Sequence, residues 1–136
     1  MNYWLIKSEP FKFPYEQLEK DKSTVWDGVR NYAARNNLRA MKKGDLALFY
    51  HSNEGKEIVG IAKVLKESYP DPTAKEGDWV VVEFGPYKKL KKPVTLEFIK
   101  SDKFLKTMEL VRLSRLSVCP VRKEEFDRIL ELSEGK

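Results

Sequence analysis

The sequence is poor in the residues that build disulfides and transition-metal centres. Its 136 residues include one cysteine, Cys119, and one histidine, His51. A single cysteine cannot form an internal disulfide, and one cysteine with one histidine cannot supply the four ligands of a structural zinc site. We therefore expect no metal site and a reducing compartment, either the cytoplasm or, in a eukaryote, the nucleus.

Long apolar segments and familiar enzyme motifs are also missing. No run approaches the roughly 20 apolar residues of a membrane span, and the first residues lack the basic region of a signal peptide. The sequence contains no G-x-S-x-G, P-loop, G-x-G-x-x-G or H-E-x-x-H motif. These absences favour a soluble protein without a membrane partner, without a cofactor and without catalytic activity.

The composition is that of a globular protein with a modest basic excess. Hydrophobic residues make up 41% of the chain, and 26 basic against 21 acidic residues leave a net charge of +5. This length suffices for one hydrophobic core, so we expect a single domain over residues 1–136 and a monomer. The charge permits binding to nucleic acid but does not require it.

The pattern of apolar residues predicts short strands and helices in mixed order. Strands are predicted over 3–8, 46–51, 58–65, 79–84 and 116–121, and helices over 14–22, 31–41, 95–100, 106–113 and 123–132. Residues 26–29 are predicted as extended chain or loop, 69–78 as a loop and 87–92 as a basic connection. Because the strands and helices do not alternate regularly, this order favours an α+β fold around a small curved sheet or barrel.

The segment 26–36, Trp-Asp-Gly-Val-Arg-Asn-Tyr-Ala-Ala-Arg-Asn, is the richest in chemically versatile side chains. It combines aromatic rings that can stack on a base, amides that can hydrogen-bond its edge and arginines that can contact phosphate. Two further polar–aromatic segments, 7–10 and 49–53, fall at predicted strand ends. If the sheet curves into a barrel, the three segments meet at one mouth, where a small binding site is expected.

The order of several short motifs resembles the EVE domain family. They are Lys-Ser-Glu-Pro at 7–10, Trp-Asp-Gly-Val-Arg-Asn-Tyr at 26–32, Ala-Arg-Asn at 34–36, Tyr-His-Ser at 50–52, Gly-Ile-Ala-Lys-Val at 60–64, Tyr-Pro-Asp-Pro-Thr at 69–73 and Leu-Ser-Val at 116–118. The resemblance implies a PUA-like mixed β pseudobarrel flanked by short helices. It also implies recognition of a modified base, with modified cytosine in DNA as the leading expectation. The chain departs from the family at Ala33, where glutamine is frequent, and in a shorter loop over 70–79.

A role follows for each candidate residue if the site binds a base flipped out of DNA or RNA. Aromatic walls are expected from Trp26, Tyr32 and Trp79, and short polar groups at the base edge from Ser8, Asn31 and Ser52. Phosphate contacts are expected from Lys7, Arg30 and Arg35, with the lysines of 88–92 along the backbone, and His51 and Asp71 are further pocket candidates. Such a reader could act alone or with a separate effector protein.

Other interpretations of the same residues remain open. Trp26 could be a core tryptophan, His51 a structural hydrogen-bonding residue, and Arg30 and Arg35 the partners of Asp27, Asp71 or Glu9 in ion pairs. Two other functions also remain open. One is a PUA-like RNA-binding module without preference for a modified base. The other is a small nucleotide-processing enzyme that uses His51 with an aspartate, Asp27 or Asp71.

Overall fold

A computed structural model describes residues 1–135, which form a six-stranded sheet and five helices. The strands are β1 (Tyr3–Ser8), β2 (Thr24–Trp26), β3 (Leu46–His51), β4 (Glu57–Pro70), β5 (Val80–Thr95) and β6 (Val118–Val121). The helices are α1 (Tyr15–Asp21), α2 (Tyr32–Ala40), α3 (Leu96–Ser101), α4 (Glu109–Arg112) and α5 (Lys123–Ser133). The strand order is β2-β5-β4-β3-β1-β6, and the predicted α+β class is confirmed.

The pair β1–β3 brings two of the sequence motifs together. These strands are parallel and adjacent, whereas the other paired strands are antiparallel. Parallel neighbours need a long crossover, which here contains α1, β2 and α2. The register places Ser8 opposite His51, and the Ser52 N–H donates to the Ser8 carbonyl at 2.9 Å. The ends of Lys-Ser-Glu-Pro and Tyr-His-Ser therefore lie side by side.

The sheet curves because its two longest strands are irregular. β4 has 14 residues and β5 has 16, and their pairing shifts register at four places. Such bulges bend the strands and increase their twist. The concave core includes Phe49, Phe84 and Tyr15, which are at most 1% exposed. Gly60 makes this packing possible, since a Cβ there would lie 2.6 Å from the Tyr15 ring.

Several predicted boundaries were wrong where tertiary pairing decides the structure. Residues 87–92 are not a connection but part of β5, and Lys88 and Lys89 pair with Ile61 and Gly60 of β4. Lysine is a poor strand former, but pairing with a neighbour outweighs that weak preference. For the same reason Tyr69 and Pro70, predicted in the loop, belong to β4. The predicted helix over 106–113 shrinks to α4, and the predicted strand over 116–121 begins at Val118.

The helices follow their predicted apolar spacing closely. In α2, Ala34 and Leu38 are fully buried, as is Met41 directly after the helix. Asn31 and Met41, predicted within the helix, are its capping residues instead. Among residues 1–135, no helix combines the length and the apolar character required to cross a membrane.

Candidate functional site

A small cleft lies between the end of β1 and the edge strand β2. Its cavity volume is about 230 Å³, a size suited to one heterocyclic ring rather than to a whole nucleotide. Its lining residues are Ser8, Phe13, Thr24, Val25, Trp26 and Asp27. Two predicted base-binding residues, Ser8 and Trp26, therefore share one cavity. Larger open grooves exist elsewhere, including one of about 720 Å³ beside the start of α5, but none of the predicted site residues lines that groove.

Trp26 belongs both to the core and to the cleft wall. Its ring makes edge-to-face contacts with Phe49 and Phe84, with centroids 5.8 and 5.6 Å apart, and with Phe13 at 6.1 Å. The side chain is nevertheless only partly buried. Each such aromatic pair contributes about 0.5–1.5 kcal/mol beyond area burial. The contacts therefore hold the indole in a fixed orientation at the cleft.

Ser8 is nearly buried and organises the turn that follows β1. Its hydroxyl donates to the Phe13 carbonyl at 2.6 Å, and the N–H groups of Lys12 and Phe13 donate to the Glu9 carbonyl. The Ser8 oxygen can still accept a hydrogen bond, since a hydroxyl carries two lone pairs. Ser8 can therefore both support the fold and face a ligand.

His51 connects the end of β3 to the start of α1. Its Nε2 accepts a hydrogen bond from the Tyr15 N–H at 3.1 Å, which satisfies a free donor at the helix N-terminus. Burial lowers the pKa of His51, while Glu16 and Glu57 oppose that shift. Among the described residues, no hydrogen bond joins His51 to Asp27 or Asp71. The acid–base pair required by the enzyme hypothesis is therefore not assembled.

A second group of predicted site residues forms a separate aromatic–arginine cluster. The Tyr32 and Trp79 rings stack with centroids 5.1 Å apart and 25° between their planes. The Arg35 guanidinium carbon lies 5.0 Å from the Tyr32 ring centroid, and that of Arg30 lies 5.6 Å from the Trp79 centroid. Neither Tyr32 nor Trp79 lines the cleft. These two rings pack on each other and on arginines, an arrangement stabilised by cation–π attraction.

Asp71 fixes this cluster to the segment that carries Trp26. Its buried carboxylate accepts hydrogen bonds from the Gly28 N–H at 3.0 Å, from Arg30 at 2.9 Å and from both the N–H and hydroxyl of Thr73. Burial alone would raise the pKa of Asp71, but these hydrogen bonds outweigh it and hold the pKa well below its ordinary value. The Arg30–Asp71 ion pair considered from the sequence is confirmed. Arg35 contacts amide and carbonyl oxygens of Asn36 and Asp78 instead of a carboxylate.

Asn31 and Lys7 lie beside a different groove. The Asn31 side-chain oxygen accepts from the Ala34 N–H at 3.0 Å and caps α2. Lys7 donates to the Ser114 carbonyl at 2.7 Å, and partial burial lowers its pKa. The groove has a volume of about 380 Å³ and is lined by Asn31, Ala33 and residues 112–116. Ser52, the remaining base-edge candidate, lines neither cavity.

Four of the six cleft-lining residues were not predicted as base-binding residues from the sequence: Phe13, Thr24, Val25 and Asp27. No role was predicted for Phe13, Thr24 or Val25, and Asp27 was predicted only as an ion-pair or acid–base partner. The sequence signal for Phe13 was its place just after Lys-Ser-Glu-Pro, but the turn that folds it back onto Ser8 depends on the hydrogen bonds described above. Thr24 and Val25 belong to the edge strand β2 and Asp27 directly follows it, so their exposure to the cleft depends on the pairing of β2 with β5.

Comparison with known proteins places this architecture in one family. The EVE domain model matches residues 2–132. Thymocyte nuclear protein 1 of Mus musculus is 42% identical, with 98% of this chain and 74% of that protein covered. The NMR structure of Rpa0253 from Rhodopseudomonas palustris is 45% identical with a TM-score of 0.94, covering 98% of this chain and 94% of that one.

A crystal structure of the human THYN1 protein in complex with 5-methylcytosine-containing DNA also matches. It has a TM-score of 0.92 and 38% identity, and the match covers 100% of this chain and 99% of that chain. The predicted PUA-like fold class is confirmed by these likenesses together with the strand order. Since the family model and the relatives cover almost the whole sequence, this chain belongs to the EVE domain family.

Proposed function

We propose that this protein is a non-catalytic reader of modified cytosine in DNA and binds the flipped base in the cleft between Ser8 and Trp26. The observation that carries this proposal is the structural likeness, over the whole of this chain, to the human THYN1 protein, whose crystal structure contains 5-methylcytosine DNA. In this chain itself, the cleft of about 230 Å³ with one aromatic wall supports the binding of a single flat base.

Trp26 replaces the stacking that a base loses when it leaves the duplex. Stacking on an aromatic side chain is worth about 1–3 kcal/mol per base. The indole is already held by Phe13, Phe49 and Phe84, so little conformational freedom remains to be lost on binding. Because the indole is already fixed before binding, stacking of a flat ring on it costs little conformational entropy.

Hydrogen-bond acceptors in the cleft favour cytosine. The exocyclic amino group of cytosine is a donor, whereas thymine has a carbonyl oxygen at that position. The Ser8 hydroxyl oxygen and the Asp27 carboxylate, both lining the cleft, are suited to accept from that amino group. The apolar Phe13 side chain offers contact to a C5 methyl group, worth about 0.8 kcal/mol when buried. That energy corresponds to a preference of about fourfold for 5-methylcytosine over cytosine.

Arginine and lysine side chains outside the cleft supply phosphate contacts in this proposal. Arg30 donates to Val29, Asp71 and Thr73, yet its side chain is 39% exposed. A guanidinium has five N–H donors, so donors remain for a phosphate after these contacts. Lys7 and Arg35 do not line the cleft and already donate to the backbone oxygens of Ser114 and Asp78. Arg30 is therefore proposed as the main phosphate ligand, with Lys7 and Arg35 in supporting roles.

The deciding experiment is a binding titration at fixed salt with three duplexes that differ at one base: cytosine, 5-methylcytosine or 5-hydroxymethylcytosine. We expect several-fold tighter binding to 5-methylcytosine. Trp26→Leu keeps an apolar side chain in the core and removes the aromatic face, so it should abolish the preference. Trp79→Leu is the matched control, because Trp79 lies outside the cleft, and it should retain the preference.

Equal affinity of the wild type for all three duplexes would overturn the proposal. The same titration with RNA of identical sequence separates the two nucleic acids. Tighter and modification-independent binding to RNA would favour an RNA-binding module instead.

A further inference from the structure

The turn between β1 and α1 forms one rim of the cleft. Its two ends, Ser8 and Phe13, both line the cavity and are joined by the 2.6 Å hydrogen bond between them. Within the turn, the Glu9 carbonyl accepts from the Lys12 and Phe13 N–H groups at 3.0 and 2.9 Å. The Asn53 side-chain amide donates to the Glu9 carboxylate at 2.8 Å. These bonds hold the intervening residues as a compact projection beside the cleft.

Phe11 is the apolar residue of this projection, and it is 75% exposed. Among the described residues it belongs neither to the hydrophobic core nor to an aromatic pair. Its neighbour Lys12 is also highly exposed, with only a 3.4 Å contact to Glu9. Single exposed apolar residues are common on proteins, so the exposure alone decides nothing. The location is what matters, because Phe11 is two residues, at most about 7 Å of chain, from the cleft wall at Phe13.

Extruding a base leaves a gap in the stack that is about 3.4 Å thick, close to the thickness of an aromatic ring. Proteins that distort duplexes commonly insert apolar side chains such as phenylalanine between bases at such positions. We propose that Phe11 is a wedge that enters this gap and stacks on the neighbouring bases while the flipped base occupies the cleft. This inference rests on the proposed function. Lys12, beside the wedge, is placed to contact a flanking phosphate.

The test compares a duplex with a single strand. Both carry one 5-methylcytosine in the same sequence, but only the duplex acquires a gap when the base is bound. Phe11→Ala should weaken binding to the duplex by about tenfold, because the unstacked neighbours lose their partner. Binding to the single strand should change less than about twofold, since no duplex stack is opened there. Phe11→Leu retains an apolar wedge and should restore most of the duplex affinity.

Phe104→Ala is the matched control. Phe104 is also exposed, at 51%, but follows α3 and does not line the cleft, so its removal should leave both affinities unchanged. Unfolding midpoints of the variants should match that of the wild type, because both phenylalanines are exposed.

The possible results separate the wedge from the reader function. Unchanged duplex affinity in Phe11→Ala, with the 5-methylcytosine preference of the wild type intact, overturns the wedge and leaves the proposed function standing. An equal loss on duplex and single strand also overturns it, because Phe11 would then contact the strand and not fill a gap. A wild type without any 5-methylcytosine preference overturns the proposed function, and the wedge with it.

Discussion

Arg30 and Asp71 form an ion pair in which the carboxylate is completely buried and the arginine side chain is 39% exposed, with 2.9 Å between the charged atoms. The same carboxylate accepts from the Gly28 N–H and from Thr73. The loop that follows β4 is thereby fixed to the segment directly after Trp26. One buried acid thus braces the chain that carries the proposed base-stacking residue.

Replacing Asp71 with asparagine should destabilise the protein by about 2 kcal/mol at neutral pH. The substitution removes the charge that strengthens its hydrogen bonds and turns an NH₂ donor toward groups that are themselves donors. The loss should be smaller than the 3–5 kcal/mol of a fully buried pair, because Arg30 is partly solvated. Urea unfolding of Asp71→Asn and of the wild type measures this loss in the free energy of unfolding. Asp78→Asn is the control, since Asp78 lies in the same loop but its ion pair with Arg39 is exposed, so its loss should cost much less stability than the loss of the Asp71 charge.

The stabilisation by Asp71 should also depend on pH in a defined direction. Its pKa in the folded protein lies below the ordinary value of 3.8. A lowered pKa means that the stabilisation is complete above the unfolded pKa and is lost as the pH falls through the folded one. The stability difference between wild type and Asp71→Asn should therefore be constant from pH 7 to about pH 5 and shrink in stronger acid. A difference that grew on acidification would contradict the assignment.

Removing the Trp26 indole should cost stability as well as binding. Its ring packs on Phe13, Phe49 and Phe84. Trp26→Ala should lower the free energy of unfolding by about 3 kcal/mol, at the low end for a tryptophan because the side chain is only partly buried. Trp26→Phe should lose about half as much. If Trp26→Ala has the same urea midpoint of unfolding as the wild type, the ring contributes nothing to the core and serves only as a cleft wall.

His51 should make stability decline on mild acidification. Its Nε2 accepts from the Tyr15 N–H only when that nitrogen is unprotonated. Burial lowers the pKa below the ordinary 6.5, so the contribution is complete above about pH 6.5 and is lost as the pH falls through the folded pKa. Melting temperatures of the wild type between pH 8 and 5 should show this loss. His51→Gln keeps an acceptor that does not titrate and should flatten the profile in this range, where the chain has no other histidine.

Gly60 should tolerate no side chain. A methyl group there would lie 2.6 Å from two atoms of the buried Tyr15 ring. Tyr15 cannot retreat easily, because it is 1% exposed and its hydroxyl donates to the Ile61 carbonyl at 2.7 Å. Gly60→Ala should therefore destabilise the protein by about 2 kcal/mol through overpacking. Gly60→Ala should cost less stability in a Tyr15→Leu background than in the wild type, because the clashing ring is then absent. An equal cost of Gly60→Ala in both backgrounds would contradict the steric explanation.

Elements with strong local patterns were predictable from the sequence. The strands over 3–8 and 46–51 have the bounds of β1 and β3, since both are short apolar or aromatic runs ended by polar residues. The inward residues of α2 were also predictable from helical spacing. The second half of β5 was not, because residues 87–92 are rich in lysine and become a strand only through hydrogen bonds to β4. Local preference cannot reveal a partner that lies elsewhere in the chain.

The sequence by itself determined which side chains are available for recognition: the aromatic rings, short polar groups and arginines of 7–10, 26–36 and 50–52. It could not determine how these side chains are distributed between the cleft and the separate aromatic–arginine cluster. The tertiary structure places Ser8 and Trp26 in one cleft, yet it stacks Tyr32 on Trp79 and pairs Arg30 with buried Asp71. The physical reason is that stacking and ion pairing depend on distance in space. Those distances are decided by the parallel β1–β3 pairing and by the loop after β4, and not by residue type.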